Sequence, residues 1–178
     1  VGWAHAMCTP YQWTKQIASH WGGTRNGTIV HWPGGIEAKN EMRDQFGHVI
    51  DIAPTVLAAA GIPEPVQVNG FDQHPYEGFD LTDTFDDAEA EEVHHTQYFE
   101  MTGFVGLYHE GWTLAGKPYR IPWSVDPEAM VNFDPLNTEW ELYNIEEDPI
   151  QQVNVAGKYP KKVKELEKLF WEEAEKYD

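Results

Sequence analysis

The sequence predicts an α/β protein that ends in a smaller α+β part, in which a terminal helix packs on a four-stranded antiparallel sheet. The sheet is indicated by four strand-like runs, at residues 95–101, 106–109, 112–115 and 140–144. The helix is indicated by apolar residues that recur at helical spacing, namely Val163, Leu166, Leu169, Phe170, Ala174 and Tyr177. A third observation is a shorter helix signal near residue 51, which lies ahead of the strands.

The turns between the runs predict the order of the sheet. Thr102-Gly103 separates the first two runs, and Glu110-Gly111 is a hairpin signal of the acidic-glycine kind. Such short connections join neighbouring antiparallel strands, so the sheet is expected to be a meander. Residues 117–137 contain four prolines and predict an irregular excursion before the last strand. The terminal helix is expected from about Pro160 to Tyr177.

The N-terminal residues predict loops and one short strand. Residues 1–14 are mixed in character and are expected to form a loop. Gly22-Gly23 and Gly27 indicate tight turns with positive φ. Residues 28–32 are typical of a short strand, which Pro33 ends.

The next helix has recognisable start and stop signals. Asp51 is a candidate N-cap, and Pro54 stands in the first turn, where its missing N–H has little effect. Gly61 is placed to end the helix. The proline-containing stretch after it predicts a boundary, which divides the chain into residues 1–64 and 65–178.

Composition excludes several function classes. The formal net charge is −18, and so acidic a surface repels nucleic acids and anionic lipid. No apolar run approaches the roughly 18 residues that a membrane span needs. The single cysteine, Cys8, excludes an internal disulfide and leaves the cellular compartment open. Neither a nucleic-acid partner nor a membrane partner is therefore expected.

One segment near the start carries the strongest functional signal. Lys15 precedes His20-Trp21, and a Gly-Gly-x-Arg turn that ends at Arg25 follows. This pattern resembles the lysine segment of the type I sulfatase (arylsulfatase) family. The resemblance implies that Lys15 is catalytic, contacting a sulfate oxygen and stabilising charge on the bridging oxygen.

Three further segments are similar to sulfatases in the family's order. Residues 48–62 look like the segment that leaves the catalytic domain, residues 98–114 like its paired late strands, and residues 141–156 like its closing signature. The resemblance implies an alkaline-phosphatase-like α/β fold, of which residues 1–64 are the end. Residues 65–178 would form the family's smaller C-terminal subdomain.

The family mechanism uses a formylglycine nucleophile and a calcium ion. The nucleophile is made from a C/S-x-P-x-R motif, and an Asp-Asn-Gly triplet supplies metal ligands upstream of the lysine. Neither motif is present in this sequence. The resemblance therefore implies a C-terminal fragment of a sulfuric ester hydrolase that has no cofactor of its own and no turnover when isolated.

Other residues have weaker claims to a role. His20 could line a substrate pocket, but a structural hydrogen bond explains it equally well. Arg25 is expected to brace its turn by bonding carboxylates or carbonyls. Cys8-Thr-Pro10 is a near miss for the nucleophile motif, because Gln12 replaces the arginine, and it is expected to be a plain loop thiol. The scattered histidines do not predict a metal site.

Two alternative functions stay open. The chain could be a binding module without chemistry, whose aromatic residues between 98 and 143 stack on sugar rings. It could also derive from a related phosphoester hydrolase, although the lysine segment argues for sulfate. A piece cut from a larger domain is further expected to expose apolar surface over residues 28–60, or to self-associate.

Overall fold

The structure is a computed structural model, and it describes residues 2–124 and 126–177. Val1, Val125 and Asp178 lie outside the described residues. The chain divides into two compact units: residues 1–27 join residues 96–178 in the first, and residues 28–95 form the second. The boundary expected near residue 64 concerns a longer polypeptide, and it stays a prediction.

Over the described residues, five α-helices and six strands are formed. The helices are α1 Gly2–Cys8, α2 Trp21–Thr24, α3 Ile52–Ala59, α4 Pro127–Asn132 and α5 Pro160–Ala174. The strands are β1 Gln67–Val68, β2 Phe71–Asp72, β3 Thr96–Met101, β4 Phe104–His109, β5 Trp112–Gly116 and β6 Trp140–Asn144. Short 3-10 helices cover Val49–Asp51, Thr82–Thr84 and Pro135–Asn137.

The predicted four-stranded antiparallel sheet is confirmed, with the order β3-β4-β5-β6. Its first two turns place both central residues in the left-handed region, with φ of 51° and 84° at Thr102-Gly103 and of 44° and 76° at Glu110-Gly111. Such φ values are typical of two-residue hairpin loops, whose twist matches that of the flanking strands. The sheet is therefore a meander, as expected.

The predicted terminal helix is confirmed as α5, and it covers one face of the sheet. Leu166 and Phe170 of α5 are 0% and 1% exposed. They form a single apolar cluster with four strand residues: Val105, Leu107, Leu114 and Leu142. These positions alternate along the strands, so they share one face of the sheet.

The other face of the sheet is covered by the segment that precedes α2. β4 is buried from Phe104 to Tyr108, which means that both of its faces are shielded. Ile17 is fully buried, and a Cβ built on Gly106 would lie 3.1 Å from Ser19 Cα. Gly106 therefore permits the backbone of the covering segment to lie directly on the sheet.

The expectation of a loop over residues 1–14 is wrong for residues 2–8, which form α1. Ala4, Ala6 and Met7 are good helix formers, and the helix ends two residues before Pro10. None of the α1 residues is buried, so local propensity rather than packing explains this helix.

The prediction that Gly22 and Gly23 adopt positive φ in a tight turn is also wrong. Both residues lie in α2 with ordinary helical backbone. A Cβ on Gly22 would overlap the carbonyl oxygen of Gln12, and one on Gly23 would overlap that of Ile17. The glycines are needed because α2 lies against the preceding turn of the chain.

The strand expected at residues 28–32 is absent from the structure of this segment, which is described throughout. Ile29 is 94% exposed and Val30 is 53% exposed. A strand requires a hydrogen-bonded neighbour, and none pairs with this segment in the described chain. The exposed apolar side chains expected over residues 28–60 are thus present, and Met42 and Val56 belong to them as well.

In the second unit, α3 confirms the helix predicted after Asp51. Gly61 ends it with φ of 66°, and the N–H of Ile62 donates to Leu57 O at 2.9 Å, which is a Schellman motif. Asp51 does not cap α3 through its side chain, contrary to the prediction. Its carboxylate instead accepts from the backbone N–H of His48 at 2.6 Å and of Phe79 at 2.8 Å.

Asp51 is also paired with a histidine from the end of the second unit. His94 Nδ1 lies 2.8 Å from Asp51 Oδ2, and the residues are 1% and 0% exposed. Burial acts to raise the pKa of Asp51, but the hydrogen bonds from His94, His48 and Phe79 outweigh it and lower that pKa. The carboxylate thus joins three segments of the second unit.

Two short elements were not predicted from the sequence. Asn69-Gly70 forms the turn of the β1–β2 hairpin, with φ of 52° and 83°. The helix α4 interrupts the excursion between β5 and β6, and the Asp126 carboxylate caps it by accepting from Ala129 N at 3.0 Å. Across residues 2–124 and 126–177, no helix has the length and apolar character that a membrane crossing requires.

Replacement of Phe170 tests the apolar cluster. Phe170→Ala should lower the free energy of unfolding of the first unit by about 3–5 kcal/mol, because it removes a buried ring and leaves a cavity. The midpoint of urea unfolding, followed by tryptophan fluorescence, measures the change. Phe71→Ala is the control, since Phe71 is 74% exposed. Equal effects of the two substitutions would contradict this assignment of the core.

The depressed pKa of Asp51 predicts an acid-sensitive second unit. A group whose pKa is lower in the folded state stabilises the fold above its unfolded pKa, ordinarily 3.8, and that contribution is lost as the pH falls through the folded value. Hydrogen-exchange protection of the Phe79 amide should therefore fall below about pH 4. Asp51→Asn should remove this fall in protection at low pH, whereas Asp44→Asn, at an exposed carboxylate, should leave it unchanged. If protection of the Phe79 amide fell in the same way in Asp51→Asn, Asp51 would not be the cause of the acid sensitivity.

Candidate functional site

Lys15, the predicted catalytic residue, lies in an exposed turn of the first unit. Over the described part of the chain, its ammonium group has no hydrogen-bond or ion-pair partner. Its neighbours Thr14 and Ile17 are 8% and 0% exposed, so the turn is fixed on either side of the lysine. The side chain is therefore a free cation on an anchored backbone.

Gln151, from the loop after β6, anchors the lysine-bearing segment. It is 0% exposed, and its Oε1 accepts from the N–H of Trp21 at 2.8 Å. Its Nε2 donates to Thr113 Oγ1 on β5 at 2.9 Å, and its backbone carbonyl accepts from the side chain of Gln12. Gln12 precedes Lys15 and Trp21 follows it, so one buried residue holds both ends of the turn.

His20, the second predicted site residue, lies inside the first unit. It is 0% exposed, its Nε2 lies 3.0 Å from Glu141 Oε2, and its Nδ1 lies 2.8 Å from Ser19 Oγ. The carboxylate only accepts, so Nε2 carries the hydrogen of that bond. Both ring nitrogens thus have protein partners, which fits the structural alternative, and a substrate contact for His20 stays a prediction.

The hydrogen-bonded pair of His20 and Glu141 extends to Tyr143, which lies beside Glu141 on the same face of β6. The hydrogen bond from His20 lowers the pKa of Glu141 against the opposing effect of burial. The Tyr143 hydroxyl donates to Glu141 Oε2 at 3.2 Å, and burial followed by the adjacent carboxylate raises the pKa of Tyr143. Glu141 is therefore held ionised and acts as an acceptor for two side chains.

Arg25 braces the end of the segment, as expected. Its guanidinium lies 4.2 Å from the centre of the Trp21 ring and 5.2 Å from that of Tyr11. It also donates to the carbonyl oxygen of Pro149 at 3.3 Å. Stacking on Trp21 and bonding to the loop before Gln151 fix the turn without involving a substrate.

Cys8 and the histidines form no reactive cluster. Cys8 lies at the end of α1, and its Sγ is 3.5 Å from Thr14 Oγ1. Within residues 2–124 and 126–177, no group of three or more His, Cys, Asp or Glu side chains is arranged to hold a metal ion.

Sequence reasoning missed the anchoring residues Glu141, Tyr143 and Gln151. Glu141 and Tyr143 flank Leu142, so strand alternation places both on the face opposite α5. This pattern could have identified a polar site beneath the lysine segment. Gln151 has no comparable local signal, because its partners are 38 and 130 positions away in the chain.

Comparison with known proteins finds sulfatases. A family model described as N-sulphoglucosamine sulphohydrolase, C-terminal, matches residues 19–177, so Lys15 lies just ahead of the match. An uncharacterized sulfatase of Schizosaccharomyces pombe is 29% identical over 166 residues, which is 92% of this chain and 27% of that protein. The chain thus spans about a quarter of this relative's length.

Two solved structures resemble the fold. One, labelled 6S-sulf, comes from work on glycosaminoglycan metabolism by Bacteroides thetaiotaomicron; it has a TM-score of 0.59 at 20% identity, covering 88% of this chain and 30% of the other. The second is in complex with its substrate D-glucosamine-2-N,6-O-disulfate, and it has a TM-score of 0.52 at 21% identity, covering 84% and 28%. At these identities the likeness concerns the fold.

The family match covers most of the chain, and the sheet, the terminal helix and the relative agree with it. The predicted resemblance is confirmed: this chain belongs to the N-sulphoglucosamine sulphohydrolase C-terminal family and is a C-terminal portion of the sulfatases.

Proposed function

We propose that this chain is the C-terminal part of a sulfuric ester hydrolase, to whose active site it contributes Lys15. The observation that carries the proposal is the environment of that lysine. Lys15 is exposed and unpaired over the described residues, although Gln151 bonds the Gln12 side chain before it and the Trp21 backbone after it. Such an arrangement suits a cation that must meet an anion in a defined position.

The chemistry proposed for Lys15 follows from its charge. An ammonium group within hydrogen-bond distance of a sulfate oxygen attracts the substrate and offsets the negative charge that develops on the bridging oxygen. Fixing the backbone limits the positions that the long side chain must explore, so less conformational entropy is lost when the contact forms. His20, Glu141 and Gln151 contribute by holding the segment rather than by touching the substrate.

The substrate class is proposed from the relatives. One structural neighbour acts on a sulfated glucosamine, and another belongs to glycosaminoglycan metabolism. We therefore propose a sulfate ester carried on a sugar as the substrate of the complete enzyme. The net charge of −18 means that an anionic substrate needs a local cation, which Lys15 provides.

Formylglycine and calcium are proposed for the complete enzyme on the basis of the family alone. When bound, calcium would polarise the sulfate oxygens, and the hydrated formylglycine would supply the nucleophile. Among the described residues, no three His, Cys, Asp or Glu side chains are grouped as metal ligands would be, and the C/S-x-P-x-R motif is absent from the sequence. The proposed contribution of this chain is consequently limited to Lys15 and its anchoring residues.

Kinetics of Lys15 variants test the proposal. In a polypeptide extended to include the nucleophile and metal motifs, Lys15→Ala should lower kcat/KM for a sulfate ester about 10²–10³-fold. Loss of one hydrogen-bond donor to the developing negative charge has an effect of this size in other enzymes. The isolated 178-residue chain should hydrolyse p-nitrophenyl sulfate no faster than its own Lys15→Ala variant.

Lys39→Ala is the matched control, since Lys39 is also exposed but lies in the second unit. It should keep the kcat/KM of the parent. If Lys15→Ala stayed within threefold of the parent, the role proposed for Lys15 would be wrong. Turnover by the isolated chain that depended on Lys15 would instead contradict the expectation that the fragment alone is inactive.

Self-association is a further expectation, because apolar side chains are exposed over residues 28–60. Burial of apolar surface contributes about 25 cal/mol per Å². Sedimentation velocity of the isolated chain should therefore show a coefficient that rises with concentration. Ile29→Lys with Val56→Lys should suppress that rise, because the two positions are 94% and 60% exposed. A parent chain that stays monomeric at several hundred micromolar would contradict the expectation.

A further inference from the structure

A cavity of about 590 Å³ opens beside the excursion between β5 and β6, and none of the described residues that line it belongs to the lysine segment. We call it the excursion cleft, and define it by six of its lining residues: Lys117, Tyr119, Asn132, Phe133, Asn137 and Glu139. Its volume lies within the range of about 300–1,000 Å³ that is usual for small-molecule sites.

The aromatic wall of the cleft is built on the sheet. Phe104 of β4 is 1% exposed, and the Tyr119 ring stacks on it with a centroid distance of 5.0 Å. The Phe133 ring in turn stacks on Tyr119 at 4.3 Å. A Cβ on Gly103 would lie 2.7 Å from Phe133 Cε1, so this glycine leaves the space that the outer ring occupies. Phe133 is therefore the half-buried outer end of a three-ring stack, and it lines the cleft.

Amide side chains stand beside this ring. Asn132 is exposed at the end of α4, and its side chain has no hydrogen-bond partner over the described residues. Asn137 donates to the Asp134 carboxylate, which leaves its own carbonyl oxygen available. An amide offers donors and an acceptor together, as do vicinal hydroxyl groups. A sugar ring presents a C–H face to an aromatic ring and hydroxyls at its edge, so it matches both parts of the cleft.

The charges of the cleft select against a sulfated ring. Lys117 Nζ is paired with Glu139 Oε2 at 2.8 Å, and Asp134 adds a second carboxylate. Arg120 lies against the aromatic wall without lining the cleft: its guanidinium is 5.1 Å from the centre of the Phe104 ring and 5.5 Å from that of Tyr119, and its Nε donates to the Tyr119 hydroxyl. No unpaired cation therefore lines the cleft in the described chain, and the net charge of the protein is −18. An anionic ligand would be repelled, whereas an uncharged one would not.

We propose that the excursion cleft binds an uncharged saccharide ring, with Phe133 as the stacking platform and Asn132 and Asn137 as its hydrogen-bonding partners. The site is separate from Lys15 in both residues and chemistry. Saccharide binding here would hold whether or not Lys15 proves catalytic, so the two proposals can fail independently.

NMR titration of the ¹⁵N-labelled 178-residue chain tests the proposal. N-acetylglucosamine should shift the side-chain amide signals of Asn132 and Asn137 saturably, with a Kd of about 1–10 mM, as expected for a ligand of this size. N-acetylglucosamine 6-O-sulfate, which differs only in the sulfate group, should bind at least fivefold more weakly.

Two variants and one control complete the experiment. Phe133→Leu and Asn132→Ala should each weaken binding of N-acetylglucosamine at least fivefold, and Asn132→Ala should do so with an otherwise unchanged spectrum because its side chain is exposed and unpartnered. Phe71→Leu, at an exposed aromatic of the second unit, should bind like the parent. Absence of saturable shifts up to 50 mM, equal or tighter binding of the sulfated sugar, or unchanged binding by both cleft variants would overturn the proposal.

Discussion

The buried contacts of Gln151 are the constraint on which the first unit depends. The face of the sheet opposite α5 carries Thr113, Glu141 and Tyr143. Under an apolar cover, their polar groups would lose their hydrogen bonds to water and gain none in return. Gln151, together with His20, supplies hydrogen bonds to that face and to the backbone of the covering segment. The polar interior of the unit and the position of Lys15 are therefore consequences of the same few bonds.

Each unit uses a buried histidine paired with a carboxylate to join segments that are distant in sequence. His20 and Glu141 are 121 positions apart, and Asp51 and His94 are 43 apart. In both pairs the carboxylate has further donors, namely Tyr143 in the first and two backbone N–H groups in the second. These additional bonds offset the desolvation of the charge, which a pair alone often fails to do.

Local signals explain what the sequence could predict. The strands and the terminal helix were predictable because hairpin turns and apolar periodicity are local properties. The β1–β2 hairpin could also have been predicted, since Asn69-Gly70 is a strong turn signal. Residues 28–32 have strand composition but pair with no neighbour in the described part of the chain, so composition was misleading there. The role of Lys15 came from resemblance, whereas the anchor at Gln151 depends on tertiary contacts that no spacing in the chain reveals.

The interruption of the first unit by residues 28–95 has a consequence for the order of folding. The sheet and α5 are contiguous in sequence, so they can form through local hairpins and one helix docking. The lysine segment can reach the sheet only by closing a loop of nearly seventy residues, at an entropic cost of about 4 kcal/mol beyond a constant term. Prior folding of the second unit would shorten that loop. Lys15 is thus expected to take its place late, after the surface that receives its segment already exists.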